Sequence, residues 1–196
     1  MRSTRAESTR EKILYAAVDL FHEFGYNATS VQDIVRKANV PKGSFYNYFK
    51  SKEELAIAAS DIFFPNGLAS LALENASSPV GRLRRYFRLT LKEMQRYEYV
   101  RGCLVGNFAS EITNAAPALQ KRVAEHLEEA TRRIAVVISQ AQEAREIEPG
   151  LPTMDLARFI LNSLYGAILR SKTDRTDLPM KLFQQFALEP FLVKDR

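Results

Sequence analysis

The stretch TSVQDIVRKANVPKGSFYNYFKSKEEL, residues 29–55, decides the reading of this chain. It holds two short helical patterns separated by a breaker. Thr29-x-x-Gln32 and Ser30-x-x-Asp33 both have the form of a capping box, and Val31, Ile34 and Val35 supply an apolar side. Asn39-Val40-Pro41 interrupts this first helix, because proline cannot continue a helix yet suits the first turn of the next. The second helix is predicted from about Lys42 to Phe49. Two short helices joined by a turn of about three residues have the layout of a helix-turn-helix. Phe45 and Phe49 are four apart and should anchor the second helix on the first. Lys42, Gly43, Ser44, Tyr46, Asn47 and Tyr48 are then left to face solvent or DNA.

Charge is focused on the same stretch. Between Asp33 and Glu53 stand five bases (Arg36, Lys37, Lys42, Lys50 and Lys52) and no acid, whereas residues 1–55 carry nine bases and seven acids. A local concentration of this kind suits a phosphate backbone. A glycine and two tyrosines on an outward face suit a helix that approaches a groove closely, with hydroxyls for phosphates and a ring for a thymine methyl.

Helical spacing continues on both sides. Ile13, Ala16, Ala17, Leu20, Phe21 and Phe24 recur at helix spacing, and Gly25 stands where a left-handed C-terminal cap belongs. Ser51 heads a further helix with Glu53 and Glu54 in its first turn, where carboxylates complement the helix dipole. Pro65-Asn66-Gly67 should kink or break it. Beyond, Leu83, Phe87, Leu91 and Met94 mark one helix, Gly102 to Ile112 a shorter one, and Leu119 to Ala141 a long amphipathic one. Leu156 to Leu169 is apolar nearly all round, as in a helix buried on two sides. Asp177-Leu178-Pro179 opens a last helix. The expectation is an all-α chain of about nine helices without strand-like alternation. A helix-turn-helix domain is expected at residues 1–52 and an effector-binding and dimerisation domain at 53–196, bridged by the helix from about residue 52.

With 196 residues, 46% of them hydrophobic, the chain can build one large domain or two small ones sharing a core. The single cysteine excludes a disulfide framework and fits a reducing cytoplasm. No apolar run approaches the ~20 residues of a bilayer span, and the polar start offers no signal peptide; a cytoplasmic protein with no membrane role is expected. The net charge of +5 leans toward an anionic partner. His22 and His126 lie in different helices without metal-ligand spacing, so no metal or cofactor is expected. One alternative is an enzymatic or small-molecule-binding helical bundle with no DNA role. It is disfavoured by the absence of Glu-x-x-His, His-Glu-x-x-His, Gly-x-Ser-x-Gly and phosphate-loop motifs, and no catalytic step is expected. An effector-independent DNA-binding protein is the other alternative.

Phe21-x-x-x-Gly25-Tyr26-x-x-Thr29-Ser30-Val31-x-x-Ile34, followed by the run from Pro41 to Leu55, resembles the DNA-binding domain of TetR/AcrR-family transcriptional regulators. The resemblance implies a homodimer on a palindromic double-stranded DNA operator, most simply as a repressor, and a C-terminal domain that binds a small-molecule inducer. It implies that Lys42, Gly43, Ser44, Tyr46 and Asn47 face bases, and that Thr29, Ser30, Tyr48 and Lys52 face phosphates. Ser30 stands where the family often has a second threonine and keeps the hydroxyl. Arg2 and Arg5 would reach the adjacent backbone or minor groove.

The segment Gly102-Cys103-Leu104-Val105-Gly106-Asn107-Phe108 is similar to one in a subgroup of nem-operon-repressor-like proteins responding to electrophiles and acrylate-like compounds. This implies Cys103 as the sensing residue with Lys172 near it, where a cation would raise the thiolate fraction. Tyr86, Phe87, Met94, Asn107, Phe108, Leu161 and Tyr165 are expected to line an effector pocket between helices. The small residues Ser163, Gly166 and Ala167 permit close helix approach, and Leu182, Phe183 and Phe186 supply apolar area. Together they are the expected dimer face, the last two helices of each subunit forming a four-helix bundle.

Overall fold

The computed structural model describes residues 8–68, 78–112 and 115–193, so Arg2 and Arg5 lie outside the described residues. Nine α-helices follow one another among them: α1 (Thr9–Phe24), α2 (Val31–Ala38), α3 (Lys42–Tyr46), α4 (Lys52–Leu68), α5 (Pro79–Arg96), α6 (Leu104–Glu111), α7 (Pro117–Glu143), α8 (Thr153–Asp174) and α9 (Leu178–Phe183). The last continues as a π-helical turn, Gln184–Leu188, and a 3-10 turn, Glu189–Phe191. The described residues contain no strand, only one isolated antiparallel bridge between Ile147 and Leu192. The fold is all-α, as the periodicity predicts, and no described helix is long and apolar enough to cross a membrane.

The first helices begin where local chemistry satisfies their orphan amides. Ser8 caps α1 through a reciprocal pair with Glu11, whose carboxylate accepts from the Ser8 N–H at 2.8 Å. Ser30 does the same for α2 with Asp33, so Ser30 and not Thr29 is the cap. Ser51 accepts from the Glu54 N–H at 3.1 Å at the start of α4.

Three ends differ from expectation. Gly25 closes α1 with φ +82° but ψ 179°, so the chain leaves the helix extended instead of through a left-handed cap. Helix α3 ends at Tyr46, about one turn before Phe49. The Tyr48 and Phe49 amides both donate to the Phe45 carbonyl at 3.0 Å, and this tight turn brings Phe49 under Phe45. Pro65 does not break α4, which runs on to Leu68. The missing proline N–H costs one hydrogen bond to the residue-61 carbonyl, close enough to the helix end that only one further turn depends on it.

The described chain packs as two compact units. One comprises the chain up to Phe64 together with Leu104–Ala124; the other comprises Pro65–Cys103 and the chain from Glu125 onward. The first unit is built on Ile13, Ala17 and Phe21 of α1, Ile34 of α2, Phe45 of α3 and Leu55 of α4, all fully buried. Each large side chain so enclosed contributes about 1.5–3 kcal/mol of transfer free energy. Helix α6 belongs to this core: Phe108 is fully buried and meets the Phe21 ring edge-on at 5.5 Å. The start of α7 docks on α4. One oxygen of Glu53 accepts from the Ala118 and Leu119 amides at 2.8 and 3.0 Å, capping α7 and complementing the positive end of its dipole, and Arg122 pairs with Asp61 at 2.7 Å.

The second unit joins α5 to the chain's end. The Phe87 ring stands edge-on to Phe183 at 4.8 Å, and Arg84 holds Glu189 through both guanidinium and carboxylate pairs at 2.9–3.2 Å. Arg175 donates to the Glu98 carbonyl at 3.1 Å, tying the end of α8 to the turn after α5.

Candidate nucleic-acid interface

Two buried rings fix which way α3 faces. Phe45 is 0% and Phe49 2% exposed, so the helix is bolted down along one side. The other side carries Lys42, Gly43, Asn47, Tyr46 (58% exposed) and Tyr48 (43% exposed), with Ser44 half-buried. A Cβ built on Gly43 meets nothing within 4 Å, so the protein itself does not need glycine there. Large exposed tyrosines beside an open glycine make a face with polar tips and room for close approach.

The five bases of this region divide in the structure. Arg36 pairs with Asp33 and Lys37 with Asp19, each at 3.4 Å. Lys42 and Lys50 are exposed and make no ion pair among the described residues. Lys52 turns inward: its ammonium donates to the Tyr26 and Thr29 carbonyls at 2.9 and 3.1 Å and lies 4.2 Å from the centre of the Tyr26 ring. Burial lowers its pKa below the ordinary lysine value, with the Glu111 carboxylate opposing that shift. Its geometry departs from the expected phosphate contact.

Thr29 departs likewise. It is 2% exposed, and its hydroxyl donates to the Gly25 carbonyl at 2.7 Å, closing the α1–α2 turn on itself. Ser30 is exposed but engages Asp33 through both its hydroxyl and its amide, so any phosphate must share it with the cap. Hydrogen bonding by Ser30, from its side chain first and its backbone next, holds the Asp33 carboxyl below its ordinary pKa.

Two residues that the motifs did not single out grip the same turn. The Asn27 N–H donates to the Glu111 carboxylate at 3.0 Å, and the Asn27 side-chain amide donates to the Glu111 carbonyl at 3.1 Å. The partners are 84 residues apart, so no local pattern could have announced them.

The expected effector residues divide between the units. Asn107 and Phe108 lie in the first, where Asn107 donates to the His22 carbonyl at 3.3 Å and Phe108 packs on Phe21 and Tyr26. Tyr86, Phe87, Met94, Cys103, Leu161, Tyr165 and Lys172 lie in the second. Phe87, Met94 and Leu161 are buried core. Tyr86, Cys103, Tyr165 and Lys172 are half-buried. Burial pushes both phenols far above the ordinary tyrosine value, and the charge of Cys103 pushes each further. Among the described residues, no group of three or more His, Cys, Asp or Glu side chains could hold a metal ion.

On α8 and α9 an open groove of about 370 Å³ is lined by Phe159, Ser163, Ala167, Leu182 and Phe186 among others. Phe159 is 49% and Phe186 64% exposed; Gly166 is exposed with nothing within 4 Å of an added Cβ. Phe183, from the expected dimer set, turns largely inward onto Phe87.

Comparison with known proteins agrees with this architecture. Residues 13–59 match the family described as bacterial regulatory proteins, tetR family, and residues 79–187 the tetracyclin repressor-like C-terminal domain. The HTH-type transcriptional repressor DhaR of Mycobacterium sp. (strain GP1) is 34% identical over 186 residues, covering 93% of this chain and 92% of that protein. The transcriptional regulator AcuR of Cereibacter sphaeroides is 32% identical over 181 residues, covering 91% of this chain and 83% of that protein. The crystal structure of regulatory protein TetR from Rhodobacter sphaeroides has a TM-score of 0.89 at 29% identity, covering 94% of this chain and 99% of that one. Regulators of this kind bind DNA operators and small-molecule effectors and act as dimers. A helix-turn-helix with an outward polar face, continuous with a helical C-terminal unit and matched in both halves, makes this chain a member of the TetR family of bacterial transcriptional regulators.

Proposed function

We propose that the chain is a cytoplasmic one-component repressor that binds a palindromic operator as a homodimer and releases it when its C-terminal unit meets an inducer. The observation that carries this reading is the α3 face: Lys42, Gly43, Tyr46, Asn47 and Tyr48 stand outward on α3 and the turn that follows it, locked from beneath by Phe45 and Phe49. Lys42, Gly43, Ser44, Tyr46 and Asn47 read bases, and Tyr48 with Lys50 meets phosphates. Two such heads on a two-fold dimer fit half-sites about 34–36 Å apart. The apolar groove of α8 and α9, with Phe159, Ser163, Ala167, Leu182 and Phe186, is the face that pairs with its copy.

The inducer acts at Cys103. The Cys103 thiolate adds to the β-carbon of an electrophilic alkene; the carbon–sulfur bond forms, the alkene π-bond breaks, and a proton from water reaches the α-carbon. The adduct favours a conformer with the wrong head spacing, and operator affinity falls by the difference in its affinities for the two conformers.

The test is a mobility-shift assay on the duplex upstream of the protein's own gene, with and without N-ethylmaleimide. Specific retardation of this duplex over a scrambled one supports regulation of its own promoter. Release by the maleimide from the wild type, but not from Cys103→Ser, supports the thiol route. A Cys103→Ser protein that lets go as readily as the wild type refutes that route, and no retardation at low salt refutes the DNA-binding assignment of α3.

A further inference from the structure

The five residues from Gly25 to Thr29 decide how α2 and α3 leave α1, yet the apolar core does not hold them all. Asn27 and Ala28 are exposed. What holds the turn is polar and comes from two other helices. From α4, Lys52 takes the Tyr26 and Thr29 carbonyls; from the last residue of α6, Glu111 takes the Asn27 amide with its carboxylate and the Asn27 side chain with its carbonyl. Inside the turn, the Thr29 hydroxyl closes on the Gly25 carbonyl.

Gly25 shows how closely the turn and Glu111 fit. A Cβ at this position would collide with the Glu111 carboxylate, and φ +82° is a conformation that side-chain-bearing residues rarely adopt. The dihedral demands glycine, while a Cβ would only push the end of the Glu111 side chain out of the place from which it holds Asn27. The turn is shaped around the carboxylate, while Ser30, the cap of α2, follows it directly. A shift of the turn is handed to a helix of eight residues and then to one of five, neither long enough to hold its direction independently.

We propose that Glu111 is a positioning residue for operator recognition: through Asn27 and the space at Gly25 it sets the angle at which α2 and α3 are presented to DNA. It touches no base and no phosphate. Its removal therefore affects discrimination between sequences more than general attraction to DNA, because base contacts need α3 placed within a fraction of an ångström while phosphate attraction does not.

The experiment uses the full-length protein and two duplexes of equal length, one selected by the wild type from a random pool and one scrambled. Affinities are read by fluorescence anisotropy at several salt concentrations, at a temperature where melting curves show every variant folded. Glu111→Ala is expected to weaken the selected duplex by roughly tenfold and the scrambled one by less than about twofold, with an unchanged salt slope. Hydrogen exchange of the Asn27 amide is expected to accelerate in the same variant. Glu111→Gln, whose side-chain oxygen still accepts from Asn27, is expected to recover most of the discrimination. Should the alanine variant fail to fold, Glu111→Asp keeps the charge but withdraws the oxygens by one methylene, and the same loss of discrimination is expected of it. Wild-type discrimination by the variant that folds overturns the proposal. So does a loss shared equally by both duplexes, which is what a merely structural role produces.

Discussion

Replacing Lys52 by methionine removes an ammonium while keeping most of the side chain's volume, and it separates two roles that a basic residue beside a reading helix can play. The structure gives Lys52 two carbonyl partners, at 2.9 Å on Tyr26 and 3.1 Å on Thr29, and a ring 4.2 Å away. Each hydrogen bond is worth about 1 kcal/mol net, and the ring contact adds about 0.5–1 kcal/mol at a half-exposed site. Against this stands the partial desolvation of the ammonium, visible in its lowered pKa, which methionine does not suffer. The balance is a loss of about 2 kcal/mol, or roughly 4–8 °C in melting temperature for a chain of this size. Because the ammonium points into the α1–α2 turn and not outward, the salt dependence of DNA binding should be unchanged. A lysine on a phosphate would instead lower the slope of log K against log salt by about 0.9 per subunit, close to two for a dimer. Thermal melting followed by circular dichroism and anisotropy titrations at four or more salt concentrations measure both. A slope reduced by about two, with the melting temperature unmoved, would refute the inward role and restore the phosphate contact.

Two other substitutions probe the remaining faces. Gly43→Ala meets open space in the free protein and should stabilise it by up to about 1 kcal/mol through helix propensity, while weakening operator binding because the added methyl stands between α3 and the groove floor; a variant both more stable and equally tight shows that the first turn of α3 stands clear of the bases. Phe186, 64% exposed beside the α8–α9 groove, contributes about 2 kcal/mol per subunit when buried in a dimer, so Phe186→Glu should raise the dimer dissociation constant by roughly 10³-fold. Sedimentation velocity reads this directly, and an intact dimer at low micromolar concentration moves the interface elsewhere.

The parts of the site legible in the sequence are those whose partners lie within four residues. The Ser30–Asp33 box, the Phe45–Phe49 anchor and the outward set from Lys42 to Tyr48 are all of this kind, since helix geometry makes neighbours of residues three and four apart. Where two local solutions competed, the sequence left them open: Thr29 and Ser30 both begin a capping pattern, and only the burial of Thr29 against Gly25 decides for Ser30. The end of α3 was misplaced for a related reason. Spacing of four says that Phe49 lies under Phe45, but a helix and a tight turn both satisfy it, and the chain takes the turn.

What spacing cannot express is the partner of a buried surface. Asn107 and Phe108 are expected beside an effector because they fall in an apolar segment following Cys103; both are buried, and the structure supplies partners that spacing does not name. Phe108 completes the core under Phe21, and Asn107 satisfies the His22 carbonyl. Lys52 shows the same gap for charge: basicity in a basic segment suggests phosphate, whereas its real acceptors are carbonyls 26 and 23 residues earlier. These long-range contacts converge on one short turn, and α6, which opens at the residue after Cys103, ends on it at Glu111. On the proposed reading, residues 42–48 set what this face can touch, while residues far along the chain set where it stands. Exchanging residues 42–48 between relatives should accordingly transfer base preference only between chains that keep a glycine at 25, an amide at 27 and a carboxylate at 111, because without them the same reading face is offered at another angle.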